Sequence, residues 1–270
     1  MEELIDHYGG DGLLAAIDAA LVTMGRDPGS VTVDDLGPVD EFHVGGRPAT
    51  RHLIEQLDLA PGVRVLDIGC GLGGTARLLA SETGASVTGI DLTEAYVETG
   101  RDLNRRVGLD HRIDLRVGSA LDLPDGLSVD AAVMLHVGMN IADKDRLFRQ
   151  VAGALGPGGR FALYDLMRVG DVDVDFPVPW SSSPATSHLA PLADYRRAAE
   201  AAGFEVEATE DRTEAAQAFF ERLRAGGGGP PAPLGLHLVM GPETPTKVAN
   251  MVAAVVGGVI APIELVLRRS

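Results

Sequence analysis

The sequence predicts an α/β fold: a doubly wound, mostly parallel sheet with helices on both faces. Three observations predict it. Val63, Val65, Leu66 and Ile68 form a short, β-branched apolar run after Pro61-Gly62, the signature of a strand buried on both faces. Gly69, Gly71, Gly73 and Gly74 crowd the next turn, and Thr75 to Ser81 resumes at helical spacing through Ala76, Leu78, Leu79 and Ala80. Further apolar runs at 86–91, 113–117, 129–135 and 161–165 then recur between polar or helical stretches, as repeated strand–helix–strand units do.

Taken in order, Leu13, Leu14, Ile17, Leu21 and Met24 fall at helical spacing, and Gly25 with Pro28 ends that helix. Thr32 to Leu36 reads as a short turn or helix start, 40–47 as a glycine-punctuated polar loop, and Ala49 to Leu57 as the next helix. Beyond the strand at 161–165, helices are expected over 192–202, 214–223 and 247–256, with strands over 205–208 and 260–268. This divides the chain into a helical segment, 1–50, and an α/β domain, 51–270, with insertions near 170–190 and 225–243.

A chain of 270 residues with 45% hydrophobic and 23% charged content has the make-up of an ordinary globular protein. Its net charge of −16 excludes nucleic acid as the expected partner, because phosphate binding needs a basic face. Cys70 is the only cysteine, so no internal disulfide forms and a reducing compartment is expected. No basic stretch followed by an apolar core opens the chain, so no secretory signal is expected. The most apolar window, 248–267, is broken by Asn250, Gly257-Gly258, Pro262 and Glu264, and reads as helix, turn and strand. The expectation is a cytoplasmic protein without a membrane partner; a homo-oligomer is compatible with the sequence.

The glycine turn holds the chemistry. Missing side chains let backbone N–H groups approach a ligand. Gly69, Gly71 and Gly74 also satisfy G-x-G-x-x-G, so a nicotinamide-dependent oxidoreductase competes. Asp67 weighs against it, since a carboxylate at the strand end repels a pyrophosphate and attracts a cationic ligand. Asp67-Ile68-Gly69-Cys70-Gly71-Leu72-Gly73, an acid followed by G-x-G-x-G, resembles the first motif of the class I S-adenosylmethionine (SAM)-dependent methyltransferases. The Leu155 to Arg160 segment is similar to that family's L-x-P-G-G turn. The loop around His43 and the run Tyr164-Asp165-Leu166-Met167 resemble the sarcosine/dimethylglycine N-methyltransferases.

The resemblance implies a seven-stranded Rossmann-like sheet with an antiparallel last strand, an N-terminal helical cap, SAM as cofactor and S-adenosylhomocysteine (SAH) as product. Asp67, Gly69, Cys70, Gly71 and Gly73 would form the cofactor turn. Asp91, with Leu92, would meet the ribose about 20 residues further on, although a helix-capping aspartate is the competing reading. Ser119, Ala120 and Leu121 would lie at the adenine edge, and His136 at the methionine end.

For catalysis the candidates are His136, His43, Asp165 and Tyr164, with His7 and Tyr8 behind them. A core histidine competes for His136, and a capping or surface histidine for His43. Val137-Gly138 would leave the mouth open, and the insertion at 170–190 would build the acceptor pocket. Asp171, Asp173 and Asp175 alternate, but a solvated edge is preferred to a metal site.

An amine acceptor needs positioning, a phenol needs a base, and an alkene needs aromatic faces. The resemblance favours an amine nitrogen on a small molecule. An O- or C-methyltransferase of secondary metabolism, including one with an isoprenoid acceptor, and a non-catalytic SAM-binding protein stand as alternatives.

Overall fold

The computed structural model describes residues 12–226 and 232–270; His7, Tyr8 and most of the Gly/Pro stretch at 226–233 lie outside the described residues. Three helices precede the sheet: α1 (Leu13–Thr23), α2 (Val33–Asp40) and α3 (Arg47–Glu55). Thr32 makes α2 a full helix where the sequence suggested only its start. Its hydroxyl accepts the Asp35 N–H while the Asp35 carboxylate accepts the Thr32 N–H, a reciprocal cap. The last residue of α2, Asp40, forms an ion pair with Arg77 in which both side chains are fully buried. Arg77 also donates to the Leu72 carbonyl and to Asn104, so the pair ties the N-terminal helices to the glycine turn.

The strands are β1 (Arg64–Ile68), β2 (Ser86–Asp91), β3 (Ile113–Val117), β4 (Val129–Leu135), β5 (Leu155–Arg168), β6 (Phe204–Asp211) and β7 (Ile260–Arg269). They form one sheet in the order β3-β2-β1-β4-β5-β7-β6. β1 to β5 pair in parallel, and β7 inserts antiparallel between β5 and β6, with Leu265 opposite both Leu163 and Thr209. Around them lie α4 (Gly74–Thr83), α5 (Glu94–Arg106), α6 (Lys144–Ala154), α7 (Leu192–Ala201), α8 (Thr213–Gly226), α9 (His237–Met240) and α10 (Thr244–Val256).

Alternation along the strands splits the core between the two faces. Leu66, Ile68, Met134 and Phe161 join Phe148 of α6 on one side, while Val65, Val87, Val133 and Tyr164 join Leu79 of α4 on the other. Each such side chain contributes about 1.5–3 kcal/mol by burial.

One expected turn is absent as such. Val129 pairs with Leu155 and Ala131 with Arg160, so Gly156 to Gly159 bulge out of β5 instead of preceding it. Pro157 has no N–H to give the ladder, and Gly158 takes φ +78°, which together push the segment out of register.

Strand order reverses at β1, whose neighbours β2 and β4 are reached by opposite routes. In an open α/β sheet that reversal leaves a crevice beyond the carboxyl ends of the strands.

Candidate functional site

The crevice is built from strand ends. Gly69 at φ +69° leaves β1 and donates its N–H to the Ile90 carbonyl, 2.8 Å away. A Cβ on Gly69 would stand 2.2 Å from a methyl of Val137, so the end of β4 packs directly on the turn. At the end of β2 the Asp91 carboxylate ties the glycine turn to the start of α5. One carboxylate oxygen accepts the Gly71 N–H and the other the Thr93 N–H, each at 2.9 Å. Burial pushes its carboxyl upward against those hydrogen bonds. Asp67 is 2% exposed, one of its carboxylate oxygens has no partner, and burial with the charge of Asp91 raises its pKa to about 7.

A cavity of about 410 Å³ opens over this turn. Asp67, Gly69, Cys70, Gly71, Asp91, Leu92, Ser119, Ala120, Leu121 and His136 all line it. Gly73 does not; its missing side chain makes room for Leu115, which a Cβ would meet at 3.0 Å. Cys70 is buried, and its thiol is pushed well above the usual range by burial and by Asp91 and Asp67, so it is inert. The Ser119 hydroxyl accepts the Leu121 N–H at 3.1 Å and keeps its own proton to donate. Asp40, Asp67 and Asp91 put three carboxyl groups in the lining, of which Asp40 is already paired with Arg77, and no lysine or arginine itself lines the cavity among the described residues. Such a lining repels a diphosphate and suits a cation.

The sequence did not single out Tyr96, His188 and Val239, which also line the cavity. They come from segments that only the folded chain brings together, and nothing local marks them.

A second cavity, about 620 Å³, lies beside the first and shares Phe42, His43 and His136 with it. His136 occupies the left-handed region, φ +54°, and donates its N–H to the Tyr164 carbonyl at 2.7 Å. A non-glycine residue in this region is uncommon and frequent at functional sites. Its Nε2 has no partner, and burial, then the charge of His43, pushes its pKa well below 6.5. The imidazole is therefore neutral at pH 7.

His43 lies 5.9 Å from His136, ring centre to ring centre, and its nitrogens are engaged. Nε2 contacts Glu41 at 3.0 Å and the Thr50 hydroxyl at 2.8 Å, while Nδ1 is 3.3 Å from the Val44 carbonyl. Burial would raise the Glu41 carboxyl, but hydrogen bonds from His43, Thr50 and Arg47 outweigh it and bring the pKa to about 2.

Two expected catalytic residues fall elsewhere. Tyr164 and Asp165 line neither cavity, being 2% and 0% exposed. The Tyr164 ring packs against His136 at 4.9 Å, and burial pushes its hydroxyl pKa up. Asp165 accepts from the Tyr195 hydroxyl at 2.6 Å and from the Leu166 N–H at 2.9 Å. Burial raises its pKa to about 6 against the Tyr195 hydrogen bond. Nor does Gly138 open the mouth. A Cβ there would stand 2.2 Å from the Asp165 carboxylate, so its smallness serves that buried pair.

The aspartates at 171, 173 and 175 are exposed, and Asp173 pairs with Arg168 at 3.2 Å. Among the described residues, His52, Glu210 and Glu264 converge closely enough to share an ion. Arg212 lies against both carboxylates and the His52 ring bridges them, so the three groups already have one another and Arg212 as partners.

Comparison with known proteins agrees with this geometry. Residues 65–159 match the family described as a methyltransferase domain. The chain is 35% identical to the methyltransferase GfsG of Streptomyces halstedii over 140 residues, covering 52% of this chain and 50% of GfsG. It is 29% identical to the sarcosine/dimethylglycine N-methyltransferase of Halorhodospira halochloris, covering 65% of each. The chain thus spans about half the length of GfsG and less than two thirds of the halophile enzyme. Among solved structures, the [4+2]-cyclase SpnF aligns over 96% of this chain and 95% of its own, with a TM-score of 0.66 and 24% identity, a likeness of fold. Together with the acid–glycine turn, the match over residues 65–159 assigns that segment to the class I SAM-dependent methyltransferase domains.

Proposed function

We propose that this chain moves a methyl group from SAM to an N–H or O–H nucleophile of a small molecule, at the junction between the two cavities. The observation that carries this is the lining of the first cavity: the carboxyl groups of Asp67 and Asp91, no lysine or arginine among the described residues, and an unpartnered oxygen on Asp67. SAM fits it, because its charge is a sulfonium and an ammonium where a dinucleotide would bring a diphosphate. When bound, SAM supplies a methyl group already activated by positive sulfur.

The chain's own residues do the rest. Asp67 offers negative charge to the cationic end, and Asp91, held rigid by two backbone N–H groups, faces the ribose hydroxyls. Ser119 to Leu121 edge the adenine, and Gly69, Cys70 and Gly71 let the ligand lie against the backbone. The neutral imidazole of His136 takes the proton that the acceptor loses, and His43, fixed by Glu41 and Thr50, walls the junction and holds His136 in place. Residues before 51 act as a cap that keeps water from the transfer, through Phe42 and His43. A single buried thiol suits a cytoplasmic setting, and no described helix is long and apolar enough to cross a membrane.

One observation favours a second reading. Phe42, Trp180, Phe219 and Phe220 line the second cavity, and such faces would hold the cation formed on methylating an alkene carbon.

Calorimetric titration with SAH and with NAD tests the cofactor. SAH heat without NAD heat is expected, and the reverse would overturn the reading. With radiolabelled SAM and an accepting compound, His136→Ala should bind SAH as wild type does and lose about 10²-fold or more in turnover. Unchanged turnover would remove His136 from the chemistry. Product analysis then separates heteroatom from carbon methylation.

A further inference from the structure

The second cavity is walled by Trp180, Phe219, Phe220, Met139, Met240 and Met251. All of these but Met240 belong to a hydrophobic cluster of their own, made where the 170–190 segment, α8, α10 and the end of β5 meet. The chamber is therefore built into the fold, and it shares His136 with the first cavity. At about 620 Å³ it matches the roughly 300–1,000 Å³ of sites for drug-sized ligands, far beyond what a three-carbon amino acid fills.

Of its charged groups, Arg47 and Glu41 are already engaged. Arg47 donates to Glu41 at 3.1 Å, to the Val33 carbonyl at 2.9 Å, and to Asp34. Glu41 is held by Arg47, His43 and Thr50. An entering carboxylate finds one arginine without a carboxylate partner among the described residues, Arg222, and that residue is exposed. An exposed ion pair returns little, whereas taking an ion out of water is costly. For a small zwitterion the balance is unfavourable. An uncharged skeleton meets aromatic faces and three thioethers, which repack around irregular apolar shapes.

We propose that this chamber is the acceptor site and that its ligand is a neutral, largely apolar molecule of drug size carrying one nucleophilic hydroxyl or uncharged amine. The proposal rests on the methyl-transfer reading and adds the class of acceptor. It sets aside small zwitterionic amines, the acceptors that the sequence resemblance brought forward.

Trp180 is the only tryptophan of the chain and lines the chamber, so its fluorescence reports occupancy. The SAH-saturated protein is titrated with farnesol and with 1-dodecanol as apolar alcohols, and with sarcosine as the small zwitterion. A saturable Trp180 change is expected with at least one alcohol at micromolar concentration, and none with sarcosine up to millimolar. Phe219→Asp should weaken the alcohol response at least tenfold while the SAH heat stays within twofold of wild type. A saturable sarcosine response, no saturable response to either alcohol, or an alcohol response indifferent to Phe219→Asp would each overturn the proposal. Loss of SAH heat in the wild-type protein would instead defeat the methyl-transfer reading, so the two failures are told apart.

Discussion

Asp67→Asn tests the central electrostatic idea, because the same carboxyl group should destabilise the empty protein and strengthen binding of a cationic ligand. Burial and the neighbouring Asp91 raise its pKa from the ordinary 3.8 to about 7, with the Ala76 N–H and Arg77 opposing. At 1.36 kcal/mol per pH unit, that difference corresponds to about 4 kcal/mol. The folded protein holds this proton where the unfolded chain releases it. The stability so gained is fully present below pH 3.8 and is lost as pH rises through about 7. Asparagine keeps the shape and carries no titrating proton. Wild type should therefore lose about 2–4 kcal/mol relative to Asp67→Asn between pH 4.5 and 8, followed by urea melts at each pH. Asp165 and Glu264, raised to about 6 and about 7, titrate in both proteins and drop out of the difference. Binding should run the other way. A sulfonium favours the ionised carboxyl, so SAM affinity in wild type should rise between pH 5.5 and 7.5, with proton release on binding. It should be nearly flat in the variant. SAH, lacking that charge on sulfur, should show a weaker trend. Parallel melts for the two proteins, or a SAM affinity indifferent to pH in wild type, would refute the argument.

Asp40→Ala leaves Arg77 buried without its carboxylate and should cost about 3–5 kcal/mol in urea unfolding, the range for breaking a buried pair from one side. Because this pair ties α2 to the helix after the glycine turn, SAH affinity measured by calorimetry should fall as well. Gly138→Ala drives a methyl group against the Asp165 carboxylate and the Tyr195 hydroxyl, at 2.2 and 2.7 Å. Overpacking there should cost about 1–3 kcal/mol. The turn carrying His136 would shift with it, so turnover should drop more than SAH affinity; a variant as stable and active as wild type would show that Gly138 is not constrained.

The lining of the first cavity was legible in the sequence because its parts are local. Asp67 to Gly71, Asp91 and Ser119 to Leu121 each sit at or just beyond the carboxyl end of a strand. Parallel pairing brings such ends together whatever else the fold does. Residue parity was harder to read. In β5, neighbouring Tyr164 and Asp165 point to opposite faces of a sheet covered on both sides, so proximity in sequence to the crevice put neither of them in it. Gly73 shows the same limit, since a glycine kept for Leu115 looks in sequence like one kept for a ligand. The second cavity was the least legible part. Trp180, Phe219 and Met251 come from three separate segments, each with its own local reason to be apolar, and only tertiary packing turns those reasons into one cavity. The low aromatic content of 4% weighs weakly against an alkene acceptor. That average hid the placement, because the sole tryptophan and three of seven phenylalanines, Phe42, Phe219 and Phe220, line this one chamber. In a chain with few aromatics, where they gather carries more functional information than how many there are.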